Sequence, residues 1–110
     1  IATDLPVSSP QLRRIIRRAG VGIARTGAYT GHGSGEVMIG FSTANPVDVA
    51  DTSPVRACTV MAEGQINQAF KAVAEATHEA ILNSMLASPA TRALDGRMFH
   101  SLTEYVPRLI

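Results

Sequence analysis

QLRRIIRRAGVGIARTGAYTGHGSGEVMIGFSTANP, residues 11–46, is the stretch that decides the fold. Leu12, Ile15, Ile16, Ala19 and Ile23 recur at helical spacing, so residues 10–26 are predicted as an amphipathic helix. Ser9 suits the N-cap and Pro10 the first helical position. Gly20 and Gly22 weaken such a helix by roughly 1 kcal/mol each, yet permit close backbone packing. Gly27 is the natural stop. Residues 27–36, GAYTGHGSGE, read as a glycine-rich loop or hairpin tip. The apolar residues of VMIGFST, 37–43, do not alternate cleanly, which predicts a strand buried on both faces. Asn45-Pro46 ends it.

Upstream, Ile1 to Thr3 is short, apolar and β-branched, the tail of a strand that begins earlier. The start at Ile1, without Met and without the basic stretch of a secretory leader, reads as a cleavage product or a chain lacking its first residues. Downstream comes a polar connection with Asp48, Asp51, Ser53 and Pro54, then a predicted strand over 56–61 that contains Cys58. A long helix is expected from Glu63 or Asn67 to Ala87. Ile66, Phe70, Val73, Ala74, Thr77, Ile81, Met85 and Leu86 mark one face of it; Lys71, Glu75, Glu79 and Asn83 mark the other. Pro89 stops it, Asp95-Gly96 signals a turn, and Pro107 limits any helix in the tail from Phe99 to Ile110.

The order β, α, β, β, α, tail predicts one domain over residues 1–110, of layered α/β or α+β class, with no internal repeat or linker. Three strands are few for so much apolar material. A partner sheet is expected.

Composition agrees. Of 110 residues, 45% are hydrophobic and 17% charged, against about 25% charged in ordinary domains. Mean hydropathy is +0.12. Such a chain is not disordered. A net charge of +1 argues against a strongly basic nucleic-acid binder, and one cysteine excludes a disulfide framework or a cysteine-based zinc site. No apolar run reaches the 18 or so residues of a spanning helix.

Few residues are left to carry chemistry. A phosphate-cradling glycine loop follows a strand and opens a helix. Here a helix precedes Gly31-His32-Gly33-Ser34-Gly35-Glu36 and a strand follows, so nucleotide binding is disfavoured. Ser34 and Glu36 stand two apart, which at a strand start puts both on one face. A hydroxyl beside a carboxylate can hold or relay a proton-bearing group, and the glycines let backbone N–H groups approach a substrate or an oxyanion. The same pattern also suits a tight turn whose serine caps a backbone group. The residues alone leave both readings open.

Arg13, Arg14, Arg17 and Arg18 cover one helix face, but without nearby aromatics they read as a solvated face or as ion pairs across a subunit boundary. His32, His78 and His100 share no metal-ligand spacing. Cys58 reads as a small buried hydrophobe.

The opening IATDLP, the 11–46 segment, and the later AFKAVAEATHEAILNSM with ALDGR resemble a known subunit. It is the smaller, C-terminal β subunit of the D-aminopeptidase and β-peptidyl aminopeptidase family, which includes nylon-oligomer hydrolases. The resemblance covers nearly the whole chain. It implies an α/β fold that is part of a four-layer α/β/β/α sandwich, completed by a separate, larger α chain from the same self-cleaved precursor. It implies an aminopeptidase, amidase or esterase acting on short peptides, amides or esters, with no cofactor or metal, assembled as an oligomer of αβ units. The nucleophile would be a serine or threonine heading the β chain, a few residues upstream of Ile1. By the same resemblance Ser34 hydrogen-bonds that nucleophile, and Glu36 positions Ser34 or the free amine. This chain alone is then expected to be inactive. His32 stands where a small polar residue, often Asn, is expected. The other reading is a catalytically inactive structural subunit of the same fold. No nucleic-acid or membrane partner is expected, and the expected location is cytoplasmic, any secretory signal lying on the α chain.

Overall fold

The structure is a computed structural model that describes residues 1–106. Strand β1, Ala2–Thr3, is followed by helices α1, Ser9–Ile16, and α2, Ala19–Arg25. Strand β2, Phe41–Ser42, comes next, then a 3₁₀ turn at Glu63–Gln65 leading into α3, Ile66–Ala87. A hairpin of β3, Thr91–Arg92, and β4, Met98–Phe99, ends in a second 3₁₀ turn at Leu102–Glu104. The chain mixes helix and strand as expected. The predicted limit at Pro107 lies outside the described residues.

The expected single helix over 10–26 is broken. Arg18 N–H donates to Ile15 three residues back, at 2.9 Å, and Val21 N–H to Arg18 at 3.0 Å. This tighter winding redirects the helix at Arg17-Arg18. Its start also differs by one residue. Ser8 is the N-cap: Ser8 Oγ accepts from Gln11 N–H at 3.3 Å, while Gln11 Oε1 accepts from Ser8 N–H at 3.0 Å. This reciprocal box outranks Ser9 because it satisfies two free donors at once. Gly27 ends α2 with a φ of 93°, which a side chain would disfavour.

Helix packing makes the core. Val7, Ile15, Ala19, Ile66, Ala69 and Val73 form one buried cluster, with Leu5, Leu12, Met38 and Phe70 against it. Gly22 sits so near α3 that an added Cβ would lie 2.6 Å from the Ala74 carbonyl oxygen. The predicted apolar face of α3 is therefore used in two ways. Ile66, Val73 and Ala74 are buried against α1 and α2, whereas Met85 and Leu86 are 44% and 41% exposed.

Two predicted strands differ. The 37–43 run pairs only at Phe41–Ser42, and Val37 is 92% exposed rather than buried. A strand exists only where a neighbour supplies hydrogen bonds, and β1 offers two residues. Residues 56–61 form no strand, and Cys58 is exposed rather than inside one. That segment is instead tied by a side chain: Asn45 Nδ2 donates to Thr59 C=O at 3.0 Å, and Thr59 N–H donates to Asn45 Oδ1 at 2.9 Å. At the far end, the Asp95-Gly96 turn closes an antiparallel hairpin pairing Thr91 with Phe99, which the sequence reading left as tail.

The radius of gyration is 19.1 Å, against about 13 Å for a compact chain of this length. A groove of about 660 Å³ opens between β1 and the outer face of α3, lined by Ile1, Thr3, Ala76, Thr77, Ala80 and Ile81 among others. Among the described residues, no helix is long and apolar enough to cross a membrane.

Candidate functional site

The site is built where β1 meets β2. The two strands are parallel, with Ala2 opposite Phe41 and Thr3 opposite Ser42. Phe41 N–H donates to Ile1 C=O, and Thr43 N–H to Thr3 C=O, both at 3.0 Å. The nitrogen of Ile1 donates to Ile39 C=O at 2.8 Å, extending the ladder one step upstream. Ser42 fastens the pair, donating to Leu5 C=O at 2.7 Å and accepting from Ala44 N–H at 3.2 Å. The FSTAN segment thus has a physical role: Ser42 holds β1, and Asn45 holds the chain around Thr59.

The segment just before β2 carries Ser34 and Glu36. Residues 31–34 form a turn in which the Gly31 carbonyl accepts both Ser34 N–H and Ser34 Oγ–H, each at 2.9 Å. The serine does cap a backbone group, as one sequence reading held. A hydroxyl that donates there keeps its oxygen lone pairs for a second partner. Ser34 and Glu36 are both exposed, and both line a shallow hollow of about 410 Å³ with Tyr29, Thr30 and His32. This hollow is distinct from the larger apolar groove by α3, with which it shares no lining residue. Thr30 has a φ of 51°, rare for a β-branched residue and a local strain at the rim.

The remaining polar clusters are structural. Gln11 is buried and donates to Met61 C=O at 2.8 Å and to Glu63 at 3.0 Å. Arg14 pairs with Glu63 at 2.7 Å. The guanidinium carbons of Arg14 and Arg18 lie 5.5 and 4.2 Å from the Phe70 ring centre. Two of the four arginines are thus engaged within the chain, on an aromatic ring that the sequence reading placed only on one face of the long helix. The hydrogen bonds from Arg14 and then Gln11 hold the Glu63 carboxyl below its ordinary range. His100 bonds Glu104 at 2.8 Å, far along the chain from His32. Among the described residues, no group of three His, Cys, Asp or Glu side chains gathers as a metal site requires.

The fold matches that of a β-aminopeptidase. The family model described as peptidase family S58 matches residues 1–99, and the chain belongs to that family. Over 96 residues it is 33% identical to the β-peptidyl aminopeptidase BapA of Sphingosinicella microcystinivorans, covering 87% of this chain and 24% of that protein. The corresponding protein of Sphingosinicella xenopeptidilytica is 36% identical over 89 residues, 80% of this chain and 22% of that one. Among solved structures, the PH0078 protein of Pyrococcus horikoshii OT3 superposes with a TM-score of 0.87 at 37% identity, over 96% of this chain and 30% of that one. A Burkholderia sp. β-aminopeptidase superposes with a TM-score of 0.79 at 30% identity, over 91% and 30%. The fold is therefore the α/β fold of these proteins. The chain spans about a quarter of the length of the curated relatives it matches.

Proposed function

We propose that this chain is the smaller subunit of an aminopeptidase-type hydrolase that releases N-terminal residues from short peptides, amides or esters. The nucleophile is a serine or threonine upstream of Ile1, freed as a chain terminus by self-cleavage. Ser34 and Glu36 orient it.

The register of β1 and β2 carries this reading. Partners differ by a constant 39 positions. A ladder kept in that register upstream would set the fourth and fifth residues before Ile1 opposite Glu36 and Gly35, next to the turn that holds Ser34. A nucleophile a few residues upstream would then lie beside the segment that carries the hydroxyl and the carboxylate. Its terminal amine, with a pKa of about 7.7–8.0, can take the proton of its own hydroxyl. The oxygen then attacks the substrate carbonyl, the amine returns the proton to the leaving group, and water resolves the acyl-enzyme. Ser34, whose own proton goes to Gly31, accepts a hydrogen bond from the nucleophile's hydroxyl or amine. Glu36 offers negative charge that favours the protonated amine as it forms.

The apolar groove beside α3 and the exposed side chains of Val37, Ile39 and Phe41 support a second element of the reading. Both are surfaces for a larger α chain of the same precursor, completing a four-layer α/β/β/α sandwich, and αβ units assemble further. The experiment is turnover of short peptides by Ser34→Ala and Glu36→Gln in the full-length protein. Each is expected to lose about 10² in kcat, the scale of an orienting or acid–base group. Near-normal turnover in both removes the site, whereas no turnover in the unaltered protein favours an inactive structural subunit.

A further inference from the structure

Ser34 does not hold its orientation alone. Its hydroxyl is fixed by the Gly31 carbonyl, and Gly31 is in turn flanked by Tyr29. A Cβ added at Gly31 would lie 3.0 Å from Tyr29 Cε2 and 3.3 Å from its Oη. The far edge of the ring thus borders the space that a side chain at Gly31 would fill, on the residue whose carbonyl takes the Ser34 proton. Thr30, between them, is held at a φ of 51°. A β-branched residue adopts that conformation only when its surroundings impose it.

We propose that Tyr29 is a positioning residue for the hydrolytic site: laid against Gly31, its ring fixes the carbonyl that takes the Ser34 hydroxyl proton, so that Ser34 faces the nucleophile as an acceptor. This rests on the role proposed for Ser34. If the ring moves, the Gly31 carbonyl turns, the Ser34 hydroxyl is free to rotate, and its lone pairs no longer point one way. Tyr29 itself is 89% exposed and acts only through Gly31 and Ser34, not on the reacting atoms. Its effect falls on turnover and not on substrate binding.

Gly31→Ala supplies the test, because its new methyl group needs the space the ring occupies. In an open surface the ring swings away, so Gly31→Ala and Tyr29→Ala remove the same contact. A double-variant cycle in the full-length protein, assayed with a chromogenic amino-acid anilide, reads this directly. Each single variant and the double variant are expected to lose kcat by the same factor, about tenfold, with KM unchanged. Tyr29→Phe, which keeps the ring, should retain turnover within about twofold. Full turnover in Tyr29→Ala, losses that multiply in the double variant, or a change confined to KM would each overturn the inference. Should Gly31→Ala fail to fold, Tyr29→Ala against Tyr29→Phe decides it alone. Ser34→Ala in the same assay separates the two levels. Full turnover there removes the Ser34 role itself; a slow Ser34→Ala beside a fast Tyr29→Ala removes only Tyr29.

Discussion

Ile1 and Ile39, thirty-eight residues apart in sequence, are joined by one hydrogen bond, from the Ile1 nitrogen to the Ile39 carbonyl at 2.8 Å. In a parallel ladder each residue of one strand bonds the neighbours on either side of its partner. With Ile1 bonded to Ile39 and Phe41, the Ile39 N–H is the next donor, directed at whatever precedes Ile1. In the full-length protein the Ile39 amide is expected to exchange with solvent as slowly as that of Phe41. Hydrogen exchange measured residue by residue checks this. Free exchange at Ile39 means that the ladder does not continue toward Ser34.

Gly20 and Gly22, two residues apart on α2, are expected to respond to alanine with opposite signs. At Gly22 the new methyl meets the Ala74 carbonyl oxygen at 2.6 Å and Thr77 Cβ at 2.7 Å. Overpacking of this kind costs about 1–3 kcal/mol, more than alanine returns in helix propensity. At Gly20 the nearest atom is Met38 Cε at 3.5 Å, an ordinary contact. Gly20→Ala should therefore raise the melting temperature and Gly22→Ala should lower it.

The ion pair of Arg14 and Glu63 predicts a pH dependence of stability. The hydrogen bond from Arg14, then that from Gln11, lowers the folded pKa of Glu63 from its ordinary 4.5. A lowered carboxyl contributes stability that is complete above the unfolded value and is lost as the pH falls through the folded one. Melting temperature should therefore decline more steeply below about pH 4.5 in the unaltered protein than in Glu63→Gln. Parallel declines would show that the pair contributes nothing to folding.

The groove beside α3 gives a prediction about assembly. Ala76 and Ala80 line it beside Ile81 and Thr77. If a larger chain covers this face, Ala80→Asp buries an unpaired charge there, which costs several kcal/mol. Co-purification of the two chains should fall at least about tenfold, in proportion to that cost. Unchanged assembly would show that the groove stays open to solvent.

Much of this was legible in residues alone, for identifiable reasons. The long helix was, because its apolar spacing repeats over six turns and Pro89 closes it. The glycine stop at Gly27 and the Asp95-Gly96 turn were, because each depends on one residue's backbone. The break at Arg17-Arg18 was not, since the three-residue hydrogen bonds that make it leave the helical spacing of the apolar residues intact. Of the strands expected at 37–43 and 56–61, only Phe41–Ser42 forms. Their apolar residues do ask for burial, but strand pairing needs neighbours that β1 supplies over only two residues. Asn45 clamping Thr59 was invisible because a side chain there replaces a ladder. Ser34 and Glu36 could be singled out by their spacing, and their roles only by resemblance. Tyr29 carried no signal, since its importance depends on where the ring lies against Gly31.

The central claim is that a serine or threonine, set free a few residues before Ile1, works against Ser34 and Glu36. Intact mass and N-terminal sequencing of the native protein test it most directly. The account predicts two chains, the smaller headed by Ser or Thr and running within a few residues into Ile1-Ala2-Thr3-Asp4. A single uncleaved chain, or a smaller chain headed by any other residue, would contradict it.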